Sequence, residues 1–139
     1  MNADHHQRGF TLVELMVVLA IIGMLAALIV PNVLDRADDA RLTAARTDIT
    51  NLTKALGMYR LDNQRYPTTE QGLQALVTRP AGVPPQARWR QYLDKLPIDP
   101  WGQPYQYRSP GAHGEMDVFS LGADGQPGGE GPQADIGNW

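Results

Sequence analysis

The feature that most constrains this chain is an apolar run over residues 10–30, which contains a single charged side chain, Glu14. As an α-helix with a rise of about 1.5 Å per residue, the run would be about 31 Å long, close to the thickness of the hydrocarbon core of a bilayer. The sequence therefore predicts a membrane-spanning helix. A charge inside such a helix is costly unless it has a partner, so Glu14 is a candidate for a functional contact.

A short polar leader, residues 1–9, precedes the run. An ordinary secretory signal is the alternative interpretation, because it also combines a positive start, an apolar region and a cleavage site at small residues. The apolar region of such signals is about 7–15 residues long. Here the run is longer, contains Glu14 and is not closed by an Ala-x-Ala triplet, so the pattern favours a retained anchor.

Beyond Pro31 the pattern stays helical but becomes amphipathic. Apolar residues recur at steps of three and four, which is typical of one buried helix face. We expect a helix that continues to about residue 62, kinked near Pro31 because proline removes a backbone hydrogen bond. The predicted apolar stripe would seat a small domain and consists of Leu42, Ala45, Ile49, Leu52, Leu56 and Tyr59.

Fewer than about 80 residues remain for that domain, which is a size that often needs extra stabilisation. The chain has no cysteine, so a disulfide is excluded, and a metal ion or packing against the helix must supply it. The formal net charge is −3, from 12 basic and 15 acidic residues without a block of like sign. Nucleic acid is therefore not expected as a partner.

Past the long helix, the sequence predicts a short second helix at Leu73, Leu76 and Val77, capped by Thr68 or Thr69. A proline-rich stretch, residues 80–104, is expected to be an ordered loop held by aromatic residues. Residues 104–109 and 116–121 are expected to form a β-hairpin. Residues 113–117 lie in the turn of this hairpin, and we expect their charged side chains to be solvated and not to form a metal or acid–base site. The stretch 122–139 is rich in glycine and needs a ligand or is loose.

Several motifs resemble a known family. Arg-Gly-Phe-Thr-Leu-Val-Glu at 8–14 is similar to the class III signal of type IV pilins and pseudopilins, which prepilin peptidase cleaves after the glycine. Four later motifs resemble the G-type major pseudopilins of type II secretion systems. They are Tyr-Pro-Thr with Gln-Gly-Leu at 66–73, Asp-Pro-Trp-Gly-Gln-Pro-Tyr at 99–105, Ser-Leu-Gly-Ala-Asp-Gly at 120–125 and Asp-Ile-Gly-Asn-Trp at 135–139.

The resemblance implies an α+β, pilin-like fold. Its parts would be a long N-terminal helix, half transmembrane and half amphipathic, a small domain with a short antiparallel sheet, and a calcium-stabilised C-terminal loop. It implies a leader at 1–9, a filament-core helix at 10–30 and a periplasmic domain at 31–139. Cleavage between Gly9 and Phe10 would be followed by N-methylation of Phe10. In the filament, the new amine of one subunit would pair with Glu14 of a neighbour.

The resemblance also implies a calcium site in the stretch 122–139 and at its border. Its ligands would be the carboxylates of Asp124 and Asp135 and the main-chain carbonyls of Leu121 and Gln126. From spacing alone, a plain solvated loop remains the alternative. Relatives often have two consecutive acids before Ile-Gly-Asn-Trp, whereas this chain has Ala134 at the first of these positions, and Glu130 is the candidate replacement.

The implied function is that of the major subunit of a pseudopilus. The chain would be a single-pass inner-membrane protein that polymerises with copies of itself into a periplasmic filament, which drives folded proteins across the outer membrane. Implied partners are minor pseudopilins, prepilin peptidase, and the inner-membrane assembly platform with its ATPase. No catalytic motif is visible, so no enzyme is expected. A type IV pilin for adhesion or DNA uptake and a membrane-tethered periplasmic binding domain remain alternatives.

Overall fold

The computed structural model describes residues 9–84 and 87–139, with the backbone alone at 30–34. The predicted leader, apart from Gly9, lies outside the described residues. The chain divides into two compact units, an N-terminal unit, Met1–Ala37, and a C-terminal unit, Asp38–Trp139. One long helix, α1, runs from Leu12 to Asn63, close to the predicted bounds. Its assignment continues through Pro31, so the proline does not end the helix.

The N-terminal unit contains a stretch, Leu12–Ile29, with a mean hydropathy of 2.8. By length and composition this stretch can cross a membrane, as the sequence predicts. All of its side chains are exposed, including those of Leu12 at 75% and Leu28 at 70%. This unit therefore has no core of its own within the described residues.

The C-terminal unit has a core built on the part of α1 that follows Asp38. The predicted stripe is confirmed, since Leu52, Leu56 and Tyr59 are at most 1% exposed, although Leu42 lies at its margin. The buried residues that cover the stripe come from the short second helix, the hairpin and its borders, and the C-terminal strand. They are Leu73, Ala75, Leu76, Tyr105, Met116, Val118 and Ile136.

The short second helix is present as a 3₁₀ helix, Leu73–Leu76. Thr68 does not cap this helix directly. Its hydroxyl accepts a hydrogen bond from the Gln71 amide at 3.2 Å, and the Gln71 side chain accepts one from the Thr68 amide at 3.0 Å. Thr69 instead contacts Ser109, whose amide donates to its hydroxyl. The expected capping chemistry therefore stabilises the turn that precedes the helix.

Aromatic side chains fasten the later segments to the core. The Trp89 ring N–H donates to the Ala75 carbonyl at 2.9 Å, which holds the proline-rich loop as expected. The Tyr92 hydroxyl donates to Asp62 on α1. At the hairpin, the Tyr105 hydroxyl donates to Asp48 Oδ2 at 2.9 Å. The Tyr107 hydroxyl donates to the Pro67 carbonyl at 2.8 Å. Burial raises the pKa of Tyr107 to about 12, so this hydroxyl remains a donor at neutral pH.

The sheet has three antiparallel strands in the order β1-β2-β3. These are β1, Gln106–Arg108, β2, Asp117–Ser120, and β3, Ile136–Gly137. Tyr107 pairs with Val118 in the predicted hairpin, which is confirmed. Ser120 pairs with Ile136, so the stretch 122–139 returns to the sheet as a third strand. Sequence analysis did not predict β3, because two residues are too short to show the alternation of a strand.

The expectation of solvated charges in the hairpin turn is wrong for Asp117, which is only 3% exposed. Its carboxylate accepts hydrogen bonds from the amides of Ala112, at 2.7 Å, and His113, at 3.2 Å, and contacts the His113 ring at 3.2 Å. Burial by itself raises the pKa of Asp117, but these contacts outweigh burial and lower it. The side chain therefore holds the turn together as an ionised carboxylate.

Candidate functional site

The first candidate site lies at the N-terminus of α1, where Thr11 and Glu14 form a reciprocal cap. The Thr11 amide donates to Glu14 Oε2 at 2.8 Å, and the Glu14 amide donates to the Thr11 hydroxyl at 3.2 Å. This is the capping box of a Thr-x-x-Glu sequence, a signal that was present but not used in the sequence analysis. The carboxylate predicted to act in assembly thus already has a role within its own helix.

The surroundings of the cap are open. Phe10 is 92% exposed, and an added Cβ at Gly9 would meet nothing within 4 Å. Within the described residues, the fold of this region therefore does not itself require glycine at position 9. Among the described residues, no cation forms an ion pair with Glu14.

The second candidate site is the C-terminal loop, residues 121–135, which joins β2 to β3. The Ala123 amide donates to the Pro132 carbonyl at 3.0 Å. An added Cβ at Gly122 would lie 2.7 Å from the Ala134 carbonyl oxygen, so the two ends of the loop touch. Asp124 follows the first end and Asp135 follows the second. The loop therefore brings the two predicted carboxylate ligands onto adjoining chain segments.

Asp135 is the more firmly held of the two carboxylates. Its amide donates to the Gly128 carbonyl at 3.0 Å, and its Oδ2 accepts from the Gly128 amide at 2.9 Å. Its other carboxylate oxygen, Oδ1, is buried and has no hydrogen-bond partner among the described residues. A buried carboxylate oxygen without a donor is destabilising, and a cation would satisfy it.

The remaining predicted ligands are less confined. Asp124 is exposed, and its Oδ1 accepts from the Gln126 amide at 3.0 Å. Leu121 is half-buried and Gln126 is exposed. Glu130, the candidate replacement for the acid absent at Ala134, is also exposed and precedes a short 3₁₀ turn, Gly131–Gln133.

No group of three or more His, Cys, Asp or Glu side chains that could hold a metal occurs within residues 9–84 and 87–139. A site built from side chains alone is therefore not supported in this region. Calcium differs from zinc in that main-chain carbonyls and water complete its shell of six to eight oxygen ligands. Two carboxylates on a glycine-rich loop, one with an unpaired buried oxygen, fit calcium better than a metal that needs nitrogen or sulfur ligands.

Asn138 ties the end of the loop to the sheet and was missed by the sequence analysis. Its Oδ1 accepts from the Val118 amide at 3.0 Å, and its Nδ2 donates to the Met116 carbonyl at 3.1 Å. The Trp139 ring packs over Gly137, where an added Cβ would collide with it, and stacks on His113. The Ile-Gly-Asn-Trp motif therefore has a structural role, because it holds the C-terminal end of the chain on the sheet next to the loop.

A capped apolar helix of membrane length, whose continuation carries a small antiparallel sheet, defines a pilin-like subunit. Comparison with known proteins agrees with this class. Residues 4–30 match the model of the prokaryotic N-terminal methylation motif, and residues 32–139 match the model of type II secretion system protein G. The chain belongs to the type II secretion system protein G family.

Curated relatives are similar over nearly their whole length. The type II secretion system core protein G of Pseudomonas aeruginosa is 56% identical over 135 residues, which cover 96% of this chain and 95% of the relative. The protein of the same name from Vibrio cholerae is 57% identical over 141 residues, which cover 100% of this chain and 96% of the relative. The crystal structure of the major pseudopilin from the type 2 secretion system of enterohaemorrhagic Escherichia coli is 48% identical. It matches with a TM-score of 0.68, over 78% of this chain and 95% of that structure.

Proposed function

We propose that this chain is the major structural subunit of a type II secretion pseudopilus. The observation that carries the proposal is the family match over residues 32–139, together with relatives that are more than half identical over at least 95% of their length. The subunit polymerises with copies of itself into a periplasmic filament. Growth of the filament drives folded proteins across the outer membrane. The role is mechanical, and no catalytic activity is proposed.

Before assembly, the stretch Leu12–Ile29 anchors the chain in the inner membrane with the C-terminal unit in the periplasm. Support comes from the exposure of every side chain in that stretch, which gives lipid or other helices a continuous apolar surface. Prepilin peptidase removes residues 1–9 and methylates Phe10. Minor pseudopilins, the inner-membrane platform and its ATPase are the further partners of assembly.

Glu14 guides assembly by meeting the Phe10 amine of a neighbouring subunit. Cleavage after Gly9 creates this cation one residue before Thr11, whose amide already holds the Glu14 carboxylate. A carboxylate in an apolar environment is stabilised by an opposite charge, so a neighbour that supplies one favours the polymer over the separate subunit. The capping box keeps the carboxylate at the helix end, where such a contact can form.

Calcium is proposed to bind in the C-terminal loop through Asp124, Asp135 and the carbonyls of Leu121 and Gln126. The unpaired Oδ1 of Asp135 supports this assignment. When bound, the cation would cross-link the two ends of the loop through oxygen ligands. Asp135 would then hold both the Gly128 amide and the metal, and Glu130 is proposed to complete the ligand set.

The test of this function combines mass spectrometry with two variants of Glu14 in cells that assemble the filament. The wild-type chain is expected to start at a methylated Phe10. Glu14→Gln retains the hydrogen-bonding capacity of a capping box but loses the charge. We expect Glu14→Gln and Glu14→Ala to remain in the membrane and to reduce the yield of filaments at least tenfold, which corresponds to about 1.4 kcal/mol.

Thr11→Ala is the matched control, because it removes the hydroxyl of the cap and leaves the Glu14 charge in place. It is expected to assemble far better than Glu14→Gln. Normal filaments from Glu14→Gln would contradict the charge pairing. An uncut wild-type chain that never polymerises in secreting cells would contradict the proposed function itself.

A further inference from the structure

Asp99 is a buried carboxylate that belongs to none of the predicted sites. It is 4% exposed, and its two oxygens have separate partners. Oδ1 accepts from the amides of Trp101 and Gln103 at 3.0 and 2.8 Å, which closes the turn of the Asp-Pro-Trp-Gly motif. Oδ2 accepts from the Ser120 hydroxyl at 2.6 Å. The same side chain thus joins this turn to the end of β2.

Ser120 extends the contact into the C-terminal loop. Its side chain is fully buried, and its oxygen accepts a hydrogen bond from the Gly122 amide at 3.1 Å. A hydroxyl has one proton, and Ser120 uses it to donate a hydrogen bond to Asp99. The lone pairs of the Ser120 oxygen therefore accept the hydrogen bond from the Gly122 amide. Removing the Asp99 carboxylate would free the hydroxyl to rotate.

The Gly122 amide and the Leu121 carbonyl belong to the same peptide group. Because a peptide group is planar and trans, the direction of its N–H fixes the direction of its C=O. The hydrogen bond from Gly122 to Ser120 therefore sets where the Leu121 carbonyl points. Gly122 has a φ of 69°, and a Cβ added there would lie 2.7 Å from the Ala134 carbonyl oxygen, so the same peptide also lies where the two loop ends meet.

We propose that Asp99 is a positioning residue for the calcium loop, acting through Ser120 to orient the Leu121 carbonyl. This role rests on the proposed calcium site, in which that carbonyl is a ligand. Asp99 lies 21 residues before Ser120 in the sequence and is not one of the proposed ligands. Its Oδ1 accepts the hydrogen bonds of the local turn, and its Oδ2 accepts the hydrogen bond that links it through Ser120 to the C-terminal loop.

The experiment measures calcium affinity by titration calorimetry on the full chain in detergent micelles. Stability in excess chelator is measured on the same samples. Ser120→Ala keeps both Oδ1 hydrogen bonds of Asp99 and removes the link to Gly122. We expect its calcium dissociation constant to rise about three- to tenfold, the equivalent of one hydrogen bond. Asp99→Asn, which keeps the Oδ1 acceptor and the volume, is expected to shift the constant in the same direction.

Tyr107→Phe is the matched control, since it also removes one hydroxyl that donates to a buried partner, the Pro67 carbonyl. It should lower stability slightly in chelator and leave the calcium constant unchanged. If Ser120→Ala and Asp99→Asn lose stability in chelator but bind calcium like the wild type, Asp99 has only a structural role and the inference is wrong. If the wild-type chain itself binds no calcium, the proposed metal site fails, and the positioning role with it.

Discussion

The two units of this chain differ in whether the apolar side chains of α1 are exposed or buried. In the N-terminal unit, every side chain of Leu12–Ile29 is exposed, and Met24 reaches 73%. In the C-terminal unit, α1 continues with a stripe whose members Leu56 and Tyr59 are fully buried. The first segment needs lipid or other subunits to cover it, whereas the second finds its cover within the chain. One helix therefore includes both an apolar stretch of membrane length and the base of a folded domain.

The carboxylates show the same contrast. Within the described residues, Glu14 accepts a hydrogen bond from the Thr11 amide and forms no ion pair. Asp99 and Asp117 are buried, and each accepts hydrogen bonds from several donors within the C-terminal unit. A carboxylate surrounded by donors stabilises a fold, and one left with an unused charge favours an encounter.

The largest expected effect compares two leucines of α1 in thermal and denaturant unfolding of the full chain in detergent micelles. Leu56→Ala, at 0% exposure, should lower the free energy of unfolding of the C-terminal unit by about 2–5 kcal/mol, because it opens a cavity. Leu19→Ala, at 59% exposure, should change it by less than about 0.5 kcal/mol. Equal losses would show that the two segments do not differ in the way described.

The second prediction concerns the C-terminal loop, the one part of the C-terminal unit that is proposed to need an added ligand. Free calcium at about a hundred times its dissociation constant should stabilise the wild-type chain by about 2.7 kcal/mol by mass action. Chelator should remove this gain and expose the loop to protease. Asp135→Ala should abolish the difference, and Asp94→Ala, at an exposed position, should retain it. Identical melting with calcium and chelator would rule out the site.

The smallest expected effect is the acid sensitivity caused by Asp117. Because its pKa is lowered in the folded chain, its contribution to stability is present above the pKa of the unfolded chain, about 4. The contribution is lost as the pH falls through the lower, folded value. Asp117→Asn should therefore be less stable than the wild type at pH 7 and show a smaller decrease between pH 5 and about 3. Asp94→Asn should follow the wild-type curve throughout.

Sequence reasoning succeeded where a pattern repeats along the chain. The spacing of Leu52, Leu56 and Tyr59 predicts the buried face of α1, and the paired tyrosines near residue 106 predict the hairpin. These features depend on local periodicity, which a single sequence displays. The leader motif and the four later motifs carried the family assignment.

Sequence reasoning failed where one side chain acts on a segment far away in the sequence. Asp99 and Ser120 are 21 residues apart in the sequence. Asn138 accepts a hydrogen bond from the amide of Val118, which lies 20 residues earlier. No local pattern marks such pairs, because their geometry arises only when the sheet forms. Asp117 was misjudged for the same reason, since a charged residue in a turn is normally solvated. The cap formed by Thr11 and Glu14 was local and could have been found.

The aromatic anchors of the C-terminal unit have a consequence for where this protein can fold. Trp89 and three tyrosines hold the loops and hairpin through hydrogen bonds, and the whole chain lacks cysteine. No step of folding therefore depends on oxidation or on an isomerase for disulfides. We therefore expect this unit to unfold at the same temperature in reducing and in non-reducing solution.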